Sequence, residues 1–463
     1  MLSAPPLPTF RDPAGSLELR ADGAYRQVRS PFERELLTLL ELPFFQRIVA
    51  SGRLVASEVV SRPSDSEALL LRHPLIFFPS YPWEWPPSMW QAAAELTLNL
   101  CRELLQEGWI LKDATPLNVL FQGTDAIFVD ILSIQRADLG QPIWNAYGQF
   151  IRTFVLPLLA HTQLGWPLQS TFTRRDGYEP EEIFAALPWY SCLRQPALTT
   201  VTLPMLLSKL KRDGKTGQQT RLFEDPDLVR DVLLHSIGGL RKRITRTRSA
   251  FKASHWSGYV DNSAHYSPAD HASKRSFVTR ALAAAQSRRV LDIGCNTGAY
   301  SLVAADAGAQ VVAIDSDPQT VERLCQSLKG QGKNVLPLCI DLANPTPASG
   351  WSNAESTSFL SRCAGRFDTV MMLAMIHHLL IGSQIPLDHI ATLCRSLTTD
   401  HLILEWVPPT DEKYREIVRG REAIYEHITE AAFRATFAFF FTTAEELILE
   451  NGRILFHLRK RSR

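Results

Sequence analysis

The chain contains no apolar run near the roughly 18 residues that a membrane-spanning helix requires. The aromatic run Phe437-Ala438-Phe439-Phe440-Phe441 is short and reads as a buried strand, so no membrane partner is expected. There is no CxxC pair. The seven cysteines (Cys101, Cys192, Cys295, Cys325, Cys339, Cys363, Cys394) are odd in number and scattered, the pattern of reduced thiols in a cytoplasmic protein rather than a disulfide framework. Neither charge sign is in excess: 49 Lys and Arg against 48 Asp and Glu leave a formal charge of +1. No global field then favours nucleic acid or an anionic surface. The one basic run (Arg241, Lys242, Arg243, Arg246, Arg248, Lys252) reads as the solvated face of a linking helix. Met1 to Pro13 holds four prolines and no charged-then-apolar leader pattern. No internal repeat and no Gly-x-Gly-x-x-Gly loop occur.

What is present is an ordinary globular composition, 45% hydrophobic over 463 residues, too long for one core and enough for two or three. Near the N-terminus, Ala21-Asp22-Gly23 between two short alternating stretches signals a hairpin, and Phe32 to Leu42 reads as a helix. Leu54 to Val60 and Leu69 to Phe78 read as strands. Tyr81-Pro82-Trp83-Glu84-Trp85-Pro86-Pro87 interrupts regular structure through its prolines. Apolar residues at Ala93, Leu96, Leu100 and Leu104 then mark a helix from Ser88 to Glu107, with Gly108 at its C-terminal cap. Asn145 to Gln163 reads as a further helix, and Gly177 to Asp227 as largely irregular.

After the first long helix comes Leu111-Lys112-Asp113-Ala114-Thr115-Pro116-Leu117-Asn118-Val119-Leu120, then a turn and Ala126-Ile127-Phe128-Val129-Asp130. This order resembles the catalytic and metal-binding loops of protein-kinase-like and aminoglycoside-kinase-like phosphotransferases. The resemblance implies an α+β kinase-like fold, with Asp113 as catalytic acid–base and Asn118 and Asp130 holding magnesium under a nucleotide. The sequence departs from the pattern: no lysine precedes Lys112, so an arginine such as Arg26 would have to serve the phosphates. That argues against Mg-ATP as a partner here.

The second centre is Val290-Leu291-Asp292-Ile293-Gly294-Cys295-Asn296-Thr297-Gly298, a strand, a tight glycine turn and a helix start. Strands at Gln310–Asp315, Asn334–Asp341, Arg366–Leu373 and His401–Trp406 follow, separated by helical segments, with a last pair at Phe437–Thr442 and Arg453–Arg459. Near-continuous apolar strands alternating with helices give an α/β, doubly wound, mostly parallel sheet. Asp292-x-Gly294-x-x-x-Gly298, an acid ending the second strand at Asp315 and another at Asp341 together resemble the class I S-adenosylmethionine-dependent methyltransferases. The resemblance implies a seven-stranded Rossmann-like domain that binds S-adenosyl-L-methionine through Asp292, Gly294, Cys295, Asn296, Gly298, Asp315, Ser316, Asp341, Leu342 and Leu373, with no metal.

The fourth strand leads into Ala374-Met375-Ile376-His377-His378-Leu379. Neither the Asn-Pro-Pro-Tyr of amino-directed methyltransferases nor a glutamate at Ala374 for a metal-dependent one is present. A histidine near neutral pKa can take a hydroxyl proton, which marks His377 and His378 as candidate catalytic residues. The whole arrangement resembles a bacterial, nodulation-related family of two-part methyltransferases, with a kinase-like domain at 1–190, a helical connection at 191–262 and a methyltransferase domain at 263–463. The implied activity is O-methylation of a small-molecule or glycan-type acceptor. Two alternatives stay open: a bifunctional kinase–methyltransferase, and a non-catalytic S-adenosylmethionine-binding regulator.

Overall fold

A computed structural model describes residues 11–62, 68–212, 223, 225–247 and 267–462. The chain divides into two compact units, Met1–Phe251 and Lys252–Arg463. The stretch expected to hold the last domain boundary, with Trp256, Tyr259 and Ser263 to Tyr266, lies outside the described residues, as do Arg248 and Lys252.

In the first unit, β1 (Gly15–Arg20), β2 (Gly23–Val28), β3 (Glu58–Ser61) and β4 (Leu69–His73) form an antiparallel sheet in the order β1-β2-β4-β3. Helices α1 (Phe32–Glu41) and α2 (Pro43–Ala50) lie between β2 and β3 in sequence. Two expected strands are shorter than read. Leu54 makes a lone bridge to Phe128 and pairing resumes only at Glu58. β4 stops at His73 because Pro74 has no N–H to continue the ladder. The long helix α3 (Pro87–Gln106) is followed by the small pairs β5 (Trp109–Leu111) with β8 (Ile134–Arg136) and β6 (Val119–Gln122) with β7 (Asp125–Phe128).

The region expected to be irregular carries helices instead: Pro180–Ala186, Trp189–Cys192 and Leu203–Arg212. Their prolines and polar residues sit at caps rather than breaking them; Pro180 occupies the first helical position, where its missing N–H costs nothing. Helix α4 (Pro226–Arg246) buries Val229, Leu233, Ile237, Leu240 and Ile244 and packs on α3, so it belongs to this unit's core. Arg241, Lys242 and Arg246 are exposed on its outer face, while Arg243 donates to Tyr147 Oη at 2.7 Å.

The second unit is built on a seven-stranded sheet in the order β11-β10-β9-β12-β13-β15-β14. Its strands are β9 (Arg289–Ile293), β10 (Gln310–Asp315), β11 (Val335–Cys339), β12 (Phe367–Met372), β13 (Thr398–Trp406), β14 (Phe441–Ile448) and β15 (Ile454–Lys460). The first five run parallel; β15 is antiparallel to both β13 and β14. This is the α/β class expected. Strand order reverses on either side of β9, so a crevice opens beyond the C-terminal ends of β9 and β12, where such sheets bind ligands.

The aromatic run is not a strand throughout. Helix α5 (Glu430–Ala438) takes Phe437, and β14 starts at Phe441. Phe433 and Phe437, four residues apart, share one helix face with ring centroids 4.6 Å apart. Trp406 lies 4.8 Å from Phe433. Helical spacing from upstream won over the local β-propensity of phenylalanine.

Candidate active site

β9 delivers Asp292 to the crevice. Its carboxylate is buried and accepts a hydrogen bond from Ser301 Oγ at 2.5 Å. Burial raises its pKa to about 6, and Asp315 adds like-charge repulsion. The chain then turns through Gly294 (φ +74°), Asn296 (φ +50°) and Gly298 (φ +84°). A Cβ on Gly294 would fall 2.3 Å from Met375 Cγ, and one on Gly298 would fall 2.3 Å from Leu324 Cδ1. Positive φ and close approach both require glycine at these two positions.

Asp315 ends β10 and pins the turn. Its two oxygens accept from the backbone N–H groups of Asn296 and Asp317, each at 2.9 Å. Burial raises its pKa while those bonds oppose the shift. Ser316, next to it, is exposed. Asp341 is exposed beyond β11 and accepts from Ala343 N at 2.9 Å, whereas Leu342, Leu373 and Cys295 are buried. Asp292, the glycine turn and Asp315 are thus joined by direct bonds or strand pairing, with Ala313 opposite Asp292 in register.

Beyond β12, Ala374 holds φ +54°, a conformation that is costly for a residue with a Cβ and that clusters at functional sites. His377 follows, 4% exposed. Its ring lies 4.2 Å from that of His378. Its Nδ1 is buried with no hydrogen-bond partner among the described residues. Burial, then His378 and Arg453, hold His377 well below the usual histidine range; burial, then Arg453 and Lys413, lower His378. Both imidazoles are therefore neutral at physiological pH and can accept protons. His378 opens a π-helical turn to Gly382, a geometry often found at functional sites.

The sequence reading missed a buried charge network beside them. Lys274 Nζ lies 2.6 Å from Glu405 Oε2; Arg453 Nη1 lies 3.4 Å from Glu405 Oε1 and its Nε donates to Asp411 Oδ2 at 2.8 Å. Two cations and two carboxylates cancel. A short helix, Glu412–Val418, capped by Asp411, packs on the turn after His378. No local motif flags these residues, because the pairs join positions 131 and 48 apart.

In the first unit, Asn118 and Asp130 come together through Ser133. Asn118 Nδ2 donates to Ser133 Oγ at 3.1 Å, and that hydroxyl donates to Asp130 Oδ2. Arg26 Nη1 donates to the other oxygen of Asp130 at 3.1 Å. Asp113 is close enough to Asp130 for the like charge to add to burial in raising its pKa.

The family model for a methyltransferase domain matches residues 266–428. Nodulation protein NoeA of Rhizobium meliloti (strain 1021) is 32% identical over 442 residues, covering 92% of this chain and 89% of that protein. The ubiquinone biosynthesis O-methyltransferase of Caulobacter sp. (strain K31) is 24% identical over 152 residues, 29% of this chain and 55% of its own. Among solved structures, the N-methyltransferase NodS from Bradyrhizobium japonicum WM9 is 15% identical over 42% of this chain and 98% of that one, with a TM-score of 0.31.

Proposed function

Because the chain belongs to the same family as nodulation protein NoeA and is an S-adenosylmethionine-dependent methyltransferase, we propose that it methylates a hydroxyl oxygen of a small-molecule or glycan-type acceptor. The observation that carries this reading is the neutral, buried His377 with an unoccupied Nδ1, on the segment beyond β12 whose Met375 packs against Gly294.

The residues at the turn suit the cofactor, which carries a sulfonium and an ammonium: two carboxylates, Asp292 and Asp315, end adjacent strands there. By this reading Asp292 faces the ammonium. Gly294, Cys295, Asn296 and Gly298 form the floor under the methionine portion. Asp315, with Ser316, accepts from the ribose hydroxyls; each of its oxygens has a lone pair left after its backbone bond. Asp341 and Leu342 frame the adenine, and Leu373 borders the same pocket. When bound, S-adenosylmethionine supplies an electrophilic methyl group on sulfur. His377 Nδ1 takes the proton that the acceptor hydroxyl releases, and His378 packs the ring in place. Lys274, Glu405, Arg453 and Asp411 cancel one another's charge, so this buried network leaves no net charge near the histidines.

The first unit reads as a kinase-like lobe, 1–190 with the helices that follow, that holds the acceptor without phosphorylating it. The Arg26–Asp130 pair supports this: the carboxylate that would bind magnesium already has a cation. A screen of hydroxyl-bearing sugars and small molecules with methyl-labelled cofactor tests the proposal. Transfer to oxygen that fails in His377→Ala supports it. Cofactor binding with transfer only to nitrogen, or with full turnover in that variant, overturns it.

A further inference from the structure

Two neighbouring helices of the first unit leave large apolar side chains outside. In Trp189–Cys192, Trp189 is 77% exposed, and Tyr190, whose ring meets that indole edge-on at 6.1 Å, is 50% exposed. Leu193 follows at 62%. In Leu203–Arg212, Leu203, Leu206 and Leu207 are all exposed, and their three- and four-residue spacing puts them on one helix face. Thr202 Oγ1 donates to Cys192 O at 2.7 Å, so Leu193 and Leu203 start from neighbouring points of the backbone. Apolar residues exposed singly are ordinary; six brought together, two of them aromatic, mark an interaction surface.

The surroundings are cationic. From Trp189 to Lys252 the sequence has 13 Lys and Arg against 5 Asp and Glu, in a chain whose formal charge is only +1. Arg243 Nε donates to Thr199 Oγ1 at 3.1 Å, which fastens the last turns of α4 to the segment just ahead of the leucine helix. Arg241, Lys242 and Arg246 are exposed on those turns, and Arg194 is exposed next to Leu193. The exposed acids of α4, Asp227 and Asp231, lie in its first two turns, at the other end. The helix Pro180–Ala186 packs on the leucine helix; its Glu182 is paired with Arg174, and its Glu181 is exposed.

A bulky apolar cluster with a basic rim fits the headgroup region of an anionic bilayer. Tryptophan and tyrosine settle at that interface, leucines reach the acyl boundary, and Lys and Arg meet the phosphates. A second copy docked about a two-fold axis would set the basic rim against itself. A nucleic acid would use the cations and the rings and leave the leucines in water. The lack of a spanning run bears on crossing a membrane, and lying on its surface needs none.

We propose that this face seats the first unit on an anionic lipid surface, with Trp189, Tyr190 and the leucines entering the interface and Arg194, Arg241, Lys242 and Arg246 meeting lipid phosphates. The test is co-sedimentation of the full chain with vesicles of phosphatidylcholine alone and of phosphatidylcholine mixed with phosphatidylglycerol, so it needs no methyl acceptor. The chain should pellet with the mixed vesicles, far less with the neutral ones, and less again as salt is raised. Leu206→Ser with Leu207→Ser should weaken binding at least about tenfold. Arg241→Ala with Lys242→Ala should weaken it about ten- to thirtyfold. Brominated lipid should quench the protein's fluorescence, and Trp189→Phe should remove most of that quenching. All five positions are exposed, so circular dichroism and S-adenosylhomocysteine affinity should stay as in the parent chain; if one pair unfolds, the other decides. No sedimentation with mixed vesicles, equal sedimentation with both kinds, or binding unchanged in both pairs overturns the proposal. So does a dimer that the leucine pair abolishes, or an oligonucleotide complex that the leucine pair retains, where vesicles are not bound.

Discussion

Arg26 and Asp130, 104 residues apart in the chain, meet at 3.1 Å with side chains 7% and 21% exposed. The guanidinium pairs with the carboxylate to which the sequence resemblance gives a magnesium ion. ATP should therefore show no magnesium-dependent binding to the full chain in calorimetry with and without MgCl2. Arg26→Ala should lower stability by about 1–3 kcal/mol, because Asp130 keeps its charge and loses its cation. Tight, magnesium-dependent ATP binding by the unmodified protein would refute this account.

Asp292 links stability to pH. Its pKa is raised from 3.8 to about 6, so the folded state holds a proton that the unfolded chain has already released. The favourable contribution is complete below about 3.8 and is lost as pH rises through about 6. At neutral pH, Asp292→Asn should stabilise the cofactor-free protein by up to about 3 kcal/mol, while S-adenosylmethionine affinity falls at least about tenfold. Denaturant melts at pH 5 and pH 8 with parallel calorimetry check both; a variant less stable at pH 8 and unimpaired in binding contradicts the assignment.

His377 is held well below the usual histidine range by burial, so its working form is the neutral one and persists as pH falls below 6.5. The acid limb of the turnover profile should therefore lie below the value of a free histidine. His377→Ala should cut turnover by about 10²–10⁴-fold with cofactor affinity preserved. An acid limb at or above 6.5, or an unchanged profile in the variant, would argue for a purely structural ring.

Gly294 and Met375 form a testable pair. Gly294→Ala places a methyl 2.3 Å from Met375 Cγ at φ +74°, combining a clash with about 1–2 kcal/mol of backbone cost. Adding Met375→Ala should recover the clash and not the backbone cost, so a double-mutant cycle should show coupling of about 1 kcal/mol. Strict additivity would mean that Met375 does not press on the turn.

These cases show how far the sequence could be read. Asp292, Gly294 and Gly298 lie in one strand–turn–helix, and Asp315 ends the next strand; short range made them legible. The parallel sheet was legible from runs such as Val335–Cys339, buried at every position. Arg26 was visible only as the place of a missing lysine, since its partner is set by tertiary folding. The Lys274–Glu405–Arg453–Asp411 network had no local signature at all. The stretch Phe437–Phe441 misled because one apolar run spans a helix end and a strand start.

The order β13-β15-β14 also bears on how this unit is born. β15 follows β13 and β14 in the chain, yet it is the inner one of the antiparallel pair and must enter between two strands made earlier. Arg453, at its head, brings the charge that Glu405 and Asp411 await. Until then two acidic side chains destined for burial lack that partner, and the nascent sheet has a gap edged by unpaired strands. Insertion of β15 thus closes the sheet and brings Arg453 to Glu405 and Asp411 in one step, so a chain that has not yet taken up β15 exposes both a strand gap and acids destined for burial.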